Sequence, residues 1–132
     1  MDDGVTPERE ALIRDDPFCA RLGIELAAIG PGTATTRLEL ADDHLNFHGI
    51  PHGGAIYSLA DAAFAAASNA GGDDAFALET NVSYLEAVEV GTTLTATATR
   101  THETRATGEY EVVVSADGGD RVATFRGRVY RP

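Results

Sequence analysis

A long helix followed by a run of strands dominates the pattern of apolar and polar positions along the chain. Between residues 55 and 68, apolar side chains recur every three or four residues, which predicts one amphipathic helix. Alternating or β-branched segments predict strands over residues 24–29 and 33–40 before that helix, and over 76–85, 92–101, 109–115 and 122–130 after it. A short helix ending near Arg14 and a helical turn over residues 18–22 come first, and residues 1–7 are expected to be frayed.

These elements predict a single domain over residues 1–132, since a chain of this length can bury one ordinary core. Only one helix is long enough to cover a sheet, so the expected class is α+β, with an antiparallel sheet wrapped around one central helix. We further expect residues 102–108 to form a polar loop and residues 117–120 to close a hairpin. In the first strand after the helix, alternation places five side chains on one side: Phe76, Leu78, Thr80, Val82 and Tyr84.

The start of the long helix carries the clearest chemical signal. Residues 46–54 have the sequence NFHGIPHGG, whose glycines and proline predict a shaped turn. Gly53 and Gly54 would leave backbone N–H groups bare and let a ligand approach them closely. Those groups and the positive end of the helix dipole suit an oxygen that is becoming negative. Asp61, seven residues beyond Gly54, then supplies one acid or base.

The position of Asp61 on the helix predicts a shared site. A helical wheel places it away from the apolar face, on a side that groups Gly54, Tyr57, Ser58, Asp61, Ala65 and Ser68. At a rise of about 1.5 Å per residue, Asp61 lies roughly 10 Å along the helix from Gly54, too far for both to reach one carbonyl group. Two helices running antiparallel across a two-fold axis solve this problem, so a catalytic Asp61 implies a homodimer. The plain alternative is that Asp61 is a solvated surface acid.

The charge of the chain narrows its partners and its compartment. The net charge is −11, and all 10 basic residues are arginine. Such a surface repels nucleic acid and anionic membranes, so we expect neither as a partner. The complete absence of lysine favours a protein from a salt-adapted cytoplasm, where high ionic strength screens self-repulsion. The N-terminus lacks signal-peptide features and no apolar run spans a bilayer, so the expected location is cytoplasmic. The one cysteine, Cys19, is expected to be a small buried hydrophobe.

Three segments together resemble the signature of the hotdog-fold acyl-CoA thioesterases, in particular the PaaI type of the phenylacetate pathway. They are NFHG at residues 46–49, HGG at 52–54 and LADAAF at 59–64, in this order and spacing. The similarity extends from about Leu22 to the end of the chain and includes GTTLTA at 91–96 and VATFRG at 122–127. The resemblance implies a hotdog fold and an acyl-CoA substrate, for which an aryl-acetyl group is the candidate acyl group. It also implies an assembly that is a dimer at minimum, and a tetramer if dimers pair again.

The resemblance also implies a role for individual residues. The N–H of Gly53 would hold the oxyanion, and Asp61 of the partner subunit would act as general base or as nucleophile. Asn46 would position the water or the thioester, and His52 would shape the turn and hydrogen-bond near the carbonyl group. Gly54 is expected to contact the substrate, and Tyr57, Phe64 and Tyr84 are candidates for lining an aromatic-sized pocket. No metal and no organic cofactor is required, because oxyanion stabilisation and an activated nucleophile suffice for a thioester.

One departure from the family pattern concerns the CoA phosphates. Relatives commonly carry a basic residue and a proline after the first strand that follows the helix, whereas this chain has Leu85, Glu86, Ala87 and Val88. If that basic residue holds phosphates, another arginine must replace it; the candidates are Arg100, Arg105, Arg126 and Arg128.

Three competing interpretations remain open. His44, His48 and His52 recur at a spacing of four and suggest a metal site, but the intervening glycines and proline prevent one helix face from collecting them. In the second interpretation, the chain is a hotdog dehydratase or hydratase acting on acyl thioesters, and His48 or His52 is its base. The third interpretation is a hotdog module that binds acyl-CoA without catalysis. Such sensors usually carry a DNA-binding segment, and the first 22 residues of this chain are too few and too acidic to form one.

Overall fold

The computed structural model describes residues 4–117 and 119–132, and it confirms the predicted order of elements. The helices are α1 (Pro7–Arg14), α2 (Pro17–Leu22) and α3 (Gly53–Asn69), and a short 3₁₀ turn covers Asp42–His44. The strands are β1 (Glu25–Gly30), β2 (Thr33–Glu39), β3 (Phe76–Tyr84), β4 (Thr93–Glu103), β5 (Thr107–Ala116) and β6 (Arg121–Tyr130). Part of the segment expected to fray, residues 1–3, and Gly118 in the expected hairpin turn lie outside the described residues.

A six-stranded antiparallel sheet carries α3 on one face, as the apolar periodicity predicts. The strand order is β1-β2-β4-β5-β6-β3, and every neighbouring pair is antiparallel. The inward face of α3 is fully buried and includes Leu59, Ala63 and Phe64. Gly127 on β6 permits this close packing, because a Cβ atom there would lie 2.5 Å from the Phe64 ring. The predicted α+β class, with the sheet wrapped around one helix, is confirmed.

The edge strand β3 departs from the simple alternation that its sequence suggests. The pairing register with β6 shifts between Ala77 and Glu79, so a bulge interrupts the two-residue period. Phe76 therefore pairs with Tyr130 on the sheet face opposite α3, where the ring centroids are 5.9 Å apart. The expectation that Phe76 shares one side with Thr80, Val82 and Tyr84 was wrong, because the bulge moves it to the other face.

Two smaller expectations were also wrong. The connection between β4 and β5 is much shorter than residues 102–108, because Thr104 and Thr107 close it tightly. Their hydroxyl groups are 2.6 Å apart, and the Thr107 N–H donates to Thr104 Oγ1 at 2.9 Å. Ser68, which the helical wheel places on the outer side of α3, is buried, and its hydroxyl donates to the carbonyl oxygen of Ala65 at 3.2 Å.

Candidate active site

His52 caps the start of α3 and makes its two glycines unequal. The N–H of Gly54 donates to Nδ1 of His52 at 2.8 Å, while the N–H of Ala55 donates to the His52 carbonyl oxygen at 3.0 Å. The N–H of Gly53 has no acceptor among the described residues. The expectation that both glycine N–H groups are bare was therefore wrong for Gly54. One free donor, that of Gly53, remains at the positive end of the α3 dipole.

Side chains lie close to the start of α3 at both glycines. A Cβ atom at Gly54 would lie 2.9 Å from Nδ1 of His52, and one at Gly53 would lie 3.3 Å from the ring of Tyr84. The Tyr84 hydroxyl donates to the carbonyl oxygen of Gly53 at 3.0 Å. Burial, followed by the neighbouring Tyr57, raises the pKa of this hydroxyl, so it stays protonated and able to donate. Sequence reasoning placed Tyr84 at the substrate but missed this contact with the peptide of Gly53.

Asn46 organises the loop before α3 through its side-chain oxygen. Oδ1 accepts from the N–H of His48 at 2.9 Å and from that of Ile50 at 3.3 Å. The backbone adds bonds from Asn46 N–H to the Ile50 carbonyl and from Gly49 N–H to the Asn46 carbonyl, with Gly49 at a φ of 79°. This leaves Nδ2 of Asn46 with no acceptor in the described part of the chain. Asn46 can therefore offer a donor, but not its acceptor, to a ligand.

The three histidines of the spacing-four pattern do not converge on a metal site. His44 is buried, with Nδ1 accepting from the Ala41 N–H at 2.9 Å and Nε2 lying 2.6 Å from the Leu22 carbonyl oxygen. Nε2 therefore ties the loop to the end of α2, while Nδ1 accepts within the loop itself. Within residues 4–117 and 119–132, no three His, Cys, Asp or Glu side chains form a group suited to a metal. Within one chain, no carboxylate of those residues bonds His48 or His52.

Asp61 lies half-buried on the flank of α3, outside the core. Burial raises the pKa of its carboxyl group above the ordinary value, and the nearby charge of Asp16 raises it further. Asp16 is the N-cap of α2, where its side chain accepts from the Cys19 N–H at 3.0 Å. Nothing local in the sequence indicates that α2 folds back beside Asp61, so the sequence alone does not connect Asp16 with the site. Along α3, Asp61 remains about 12 Å from Gly53, so one chain does not bring the two together.

The aromatic candidates are distributed differently from the expected pocket. Phe64 is 1% exposed and belongs to the core, so its assignment to a substrate pocket was wrong. Tyr57 is half-buried, with its ring 5.4 Å from that of Phe125 and its hydroxyl 2.6 Å from Thr80 Oγ1. Tyr84 is 51% exposed and is the one of the three that stands beside the helix start.

The arginines considered for the CoA phosphates lie at different places on the sheet. Arg126 and Arg128 alternate with the buried Phe125 and Val129, so they lie on the sheet face opposite α3. Arg100 packs against the turn at Gly32 and forms an ion pair with Glu103 at 3.5 Å. Glu86, at the position where the family resemblance implied a basic residue, is exposed.

Comparison with known proteins assigns the chain to a family. The model of the thioesterase superfamily matches residues 48–123. The acyl-coenzyme A thioesterase PaaI of Escherichia coli (strain K12) is 36% identical over 121 residues, which cover 92% of this chain and 86% of that protein. This chain belongs to the thioesterase superfamily. The resemblance noted in the sequence and the predicted thioester hydrolase activity are thereby confirmed.

Solved structures of relatives agree with this assignment. The E. coli PaaI protein, from the phenylacetic acid degradation operon, matches with a TM-score of 0.89 and 35% identity, covering 93% of this chain and 89% of that chain. The TT0310 protein from Thermus thermophilus matches with a TM-score of 0.85 and 41% identity, covering 89% and 98%. The smu.793 protein from Streptococcus mutans UA159, solved with bound acetyl CoA, matches with a TM-score of 0.78 and 27% identity, covering 83% of this chain and 88% of that chain. The hotdog fold is confirmed. No helix in the described ranges is long and apolar enough to cross a membrane.

Proposed function

We propose that this thioesterase hydrolyses acyl-CoA at a site shared between two copies of the chain, with an aryl-acetyl group as the leading candidate acyl group. The observation that carries the proposal is the asymmetry of the helix start. His52 occupies the N–H of Gly54, and the N–H of Gly53 is left as one directed donor at the positive end of α3. Asp61, a half-buried carboxylate on the same helix, supplies the other group that the reaction needs.

The chemistry follows from these two groups. The Gly53 N–H donates to the thioester carbonyl oxygen and more strongly to the oxyanion that replaces it. As general base, Asp61 of the partner subunit takes a proton from water while the water oxygen attacks the carbonyl carbon. The tetrahedral intermediate then collapses, the carbon–sulfur bond breaks, and CoA leaves with the proton returned by Asp61. As nucleophile, Asp61 would instead form a mixed anhydride, which water then hydrolyses. Asn46 adds a side-chain donor near the same turn.

Two exposed features support the homodimer. Strand β3 lies at one edge of the sheet and exposes Leu78, 54% accessible, and Tyr84. An unpaired, apolar edge strand is a natural site for pairing with a second copy. The outer flank of α3 carries the small residues Gly54, Ser58 and Ala65, which permit a close approach of two helices. Antiparallel pairing would set Gly53 of one copy against Asp61 of the other, and a tetramer would follow if two such dimers associate.

The finer assignments rest on composition and on relatives. A relative encoded in a phenylacetic acid degradation operon favours an aryl-acetyl substrate and the same pathway for this chain, and a relative with bound acetyl CoA favours a CoA thioester. The acidic, lysine-free composition favours a salt-adapted cytoplasm. No metal or organic cofactor enters the proposed chemistry.

The proposed function is tested by thiol release from a panel of acyl-CoAs in molar salt, with wild type and Asp61→Asn compared. We expect hydrolysis by the wild type, preference for an aryl-acetyl group, and a loss of about a thousandfold or more in the variant. Light scattering must show that the variant keeps the wild-type assembly. Equal rates would exclude Asp61 from the reaction, and hydration of an enoyl-CoA without thiol release would establish the hydratase instead. After a single turnover in H₂¹⁸O, label on Asp61 would establish the nucleophilic role, because only attack of water on the Asp61 carbonyl carbon of an anhydride places it there.

A further inference from the structure

A narrow groove runs along the C-terminal half of α3 and is not used by the reaction described above. Its volume is about 310 Å³. On the α3 side it is lined by Ala62, Ala65 and Ala66, whose small side chains leave the space open. The opposite wall is apolar and comes from α1, α2 and β1; it includes Ile13, Cys19 and Leu26.

The groove begins beside the proposed catalytic carboxylate. Ala62 directly follows Asp61, and Ala65 lies one turn further along the same flank. Asp16 lines the groove and is close enough to Asp61 for its charge to act on the Asp61 carboxyl group. Cys19, inside the groove, feels the charges of both aspartates. A thioester held at Asp61 would therefore have an apolar channel next to its carbonyl carbon.

Helix α1 forms one side of the groove and is fastened at both ends rather than buried. None of its residues is buried. At one end, Arg9 donates from Nε to the Asn69 carbonyl oxygen at 2.8 Å and from Nη2 to Asp74 at 2.9 Å. At the other end, Nη1 of Arg14 donates to the Leu26 carbonyl oxygen at 2.6 Å. These bonds hold α1 in a fixed place, so the wall that it provides has a defined shape.

We propose that this groove binds the acyl group of the substrate, in the copy of the chain that supplies Asp61. Its volume lies at the small end of the range of about 300–1,000 Å³ found for ligand pockets, which fits a ring-sized acyl group better than a long fatty chain. Its apolar walls suit a neutral acyl group, and Asp15 and Asp16 at its rim repel the carboxylate that hydrolysis creates. The groove thus favours the thioester over the product acid.

This inference rests on the proposed function, and Cys19 provides a test that needs no turnover. Cys19 is the chain's one cysteine, so alkylation by iodoacetamide followed by intact mass measurement reports on the groove alone. Burial first, and then Asp16, raise the pKa of the thiol to about 11, so the reaction is slow and is followed at alkaline pH. The probe is S-phenacyl-CoA, a thioether that cannot be hydrolysed and carries an aryl group beyond a carbonyl; S-methyl-CoA is its short control.

At a concentration about ten times its Kd, S-phenacyl-CoA should slow alkylation of Cys19 about tenfold, whereas S-methyl-CoA should leave the rate unchanged. Calorimetry establishes that each compound is bound. If bound S-phenacyl-CoA leaves Cys19 as reactive as before, or does not bind, the proposal is overturned. The first of these outcomes would direct attention to the groove of about 330 Å³ on the other side of α2, which Phe18, Leu45 and Ala55 line next to His52.

A matched pair of variants tests the same groove through specificity. Cys19→Phe fills the groove, whereas Cys19→Ala keeps it open and removes only the thiol. For Cys19→Phe, we expect the ratio of kcat/KM for an aryl-acetyl-CoA to kcat/KM for acetyl-CoA to fall about tenfold or more, because only the larger acyl group needs the filled space. An equal loss for both substrates in a folded Cys19→Phe would contradict the proposal. If the wild type hydrolyses no thioester, the proposed function fails, but protection of Cys19 by S-phenacyl-CoA still decides whether the groove binds an acyl group.

Discussion

The hydroxyl group of Tyr84, at the end of edge strand β3, donates a hydrogen bond to the carbonyl oxygen of Gly53 at a distance of 3.0 Å. This bond fixes one end of the first peptide unit of α3, on the residue whose free N–H faces the proposed thioester. A small rotation of the helix start would misdirect that N–H, and oxyanion donors act through their preorganised direction. Tyr84 is therefore a positioning residue for the oxyanion site.

Tyr84→Phe should lower kcat about two- to tenfold with little change in KM, because the net contribution of one such hydrogen bond is about 0.5–1.5 kcal/mol. The phenylalanine ring keeps the packing against Gly53, so the loss of unfolding free energy should not exceed the contribution of that one hydrogen bond, about 0.5–1.5 kcal/mol. Steady-state kinetics with the best substrate of the acyl-CoA panel provides the measurement. Tyr130→Phe is the matched control, since Tyr130 lies on the opposite face of the sheet, with its ring tilted against that of Phe76. Equal effects of the two substitutions would argue against a positioning role.

Two substitutions of Asn46 should distinguish its contribution to loop stability from its contribution to activity. Asn46→Asp keeps the oxygen that accepts from the N–H groups of His48 and Ile50 but replaces the free donor by a negative oxygen. We expect a loop of normal stability and a loss in kcat/KM of about 10²–10³-fold, the range found when an oxyanion donor is removed. Asn46→Ala should lose activity and, in addition, about 0.5–1.5 kcal/mol of unfolding free energy, because two exposed N–H groups exchange the Asn46 oxygen for water. Thermal unfolding and kinetics on both variants distinguish these outcomes; full activity of Asn46→Asp would remove Asn46 from the site.

Two substitutions of His52 should likewise distinguish its role as the N-cap of α3 from its role in catalysis. His52→Ala removes the acceptor of the Gly54 N–H and should cost about 1 kcal/mol of unfolding free energy. His52→Asp restores a good N-cap acceptor, so stability should return to the wild-type value. Its negative charge lies beside the Gly53 N–H, however, where it should oppose the developing oxyanion and keep activity low. Recovery of both stability and activity in His52→Asp would show that the histidine acts only as a cap.

The parts of the fold that depend on local pattern could be predicted from the sequence. The apolar period of α3 placed that helix within two residues of its observed limits, because one face of the helix must be buried wherever it lies. The bulge in β3 could not be predicted in this way, because the register with β6 creates it. Likewise, the tight turn between β4 and β5 depends on a hydroxyl pair, Thr104 and Thr107, that resembles any polar loop.

In the candidate site, too, the sequence predicts the features that depend on local pattern but not those that depend on tertiary contacts. The glycine pair and Asp61 stand out in the sequence because few roles explain them at that spacing. The capture of the Gly54 N–H by His52 depends on a side-chain conformation, and the effect of Asp16 on Asp61 depends on how α2 folds against α3. The shared site between two copies remains a prediction, because it depends on surfaces that a single chain leaves exposed.

The raised pKa of Asp61 has opposite consequences for activity and for stability. Because burial and then Asp16 disfavour the charged carboxylate in the folded chain, its pKa exceeds the ordinary value of 3.8. The ionised form therefore lowers stability above the folded-state pKa, and this penalty disappears as the pH falls through that pKa towards 3.8. Asp61→Asn should thus melt at a higher temperature than wild type near neutral pH, with a difference that shrinks towards about pH 3.

Activity requires the ionised form in either role of Asp61, so the acid limb of kcat/KM should lie above the ordinary aspartate range. Asp16→Asn keeps the oxygen that caps α2 but removes the charge beside Asp61, so it should move this limb to lower pH. Glu111→Gln, on the sheet face opposite α3, changes the net charge equally and should leave the limb in place. A pH profile of kcat/KM for the three proteins provides the measurement. An acid limb that moves equally in both variants would reflect net charge alone, and one that does not move in Asp16→Asn would mean that burial of Asp61 sets its pKa without Asp16.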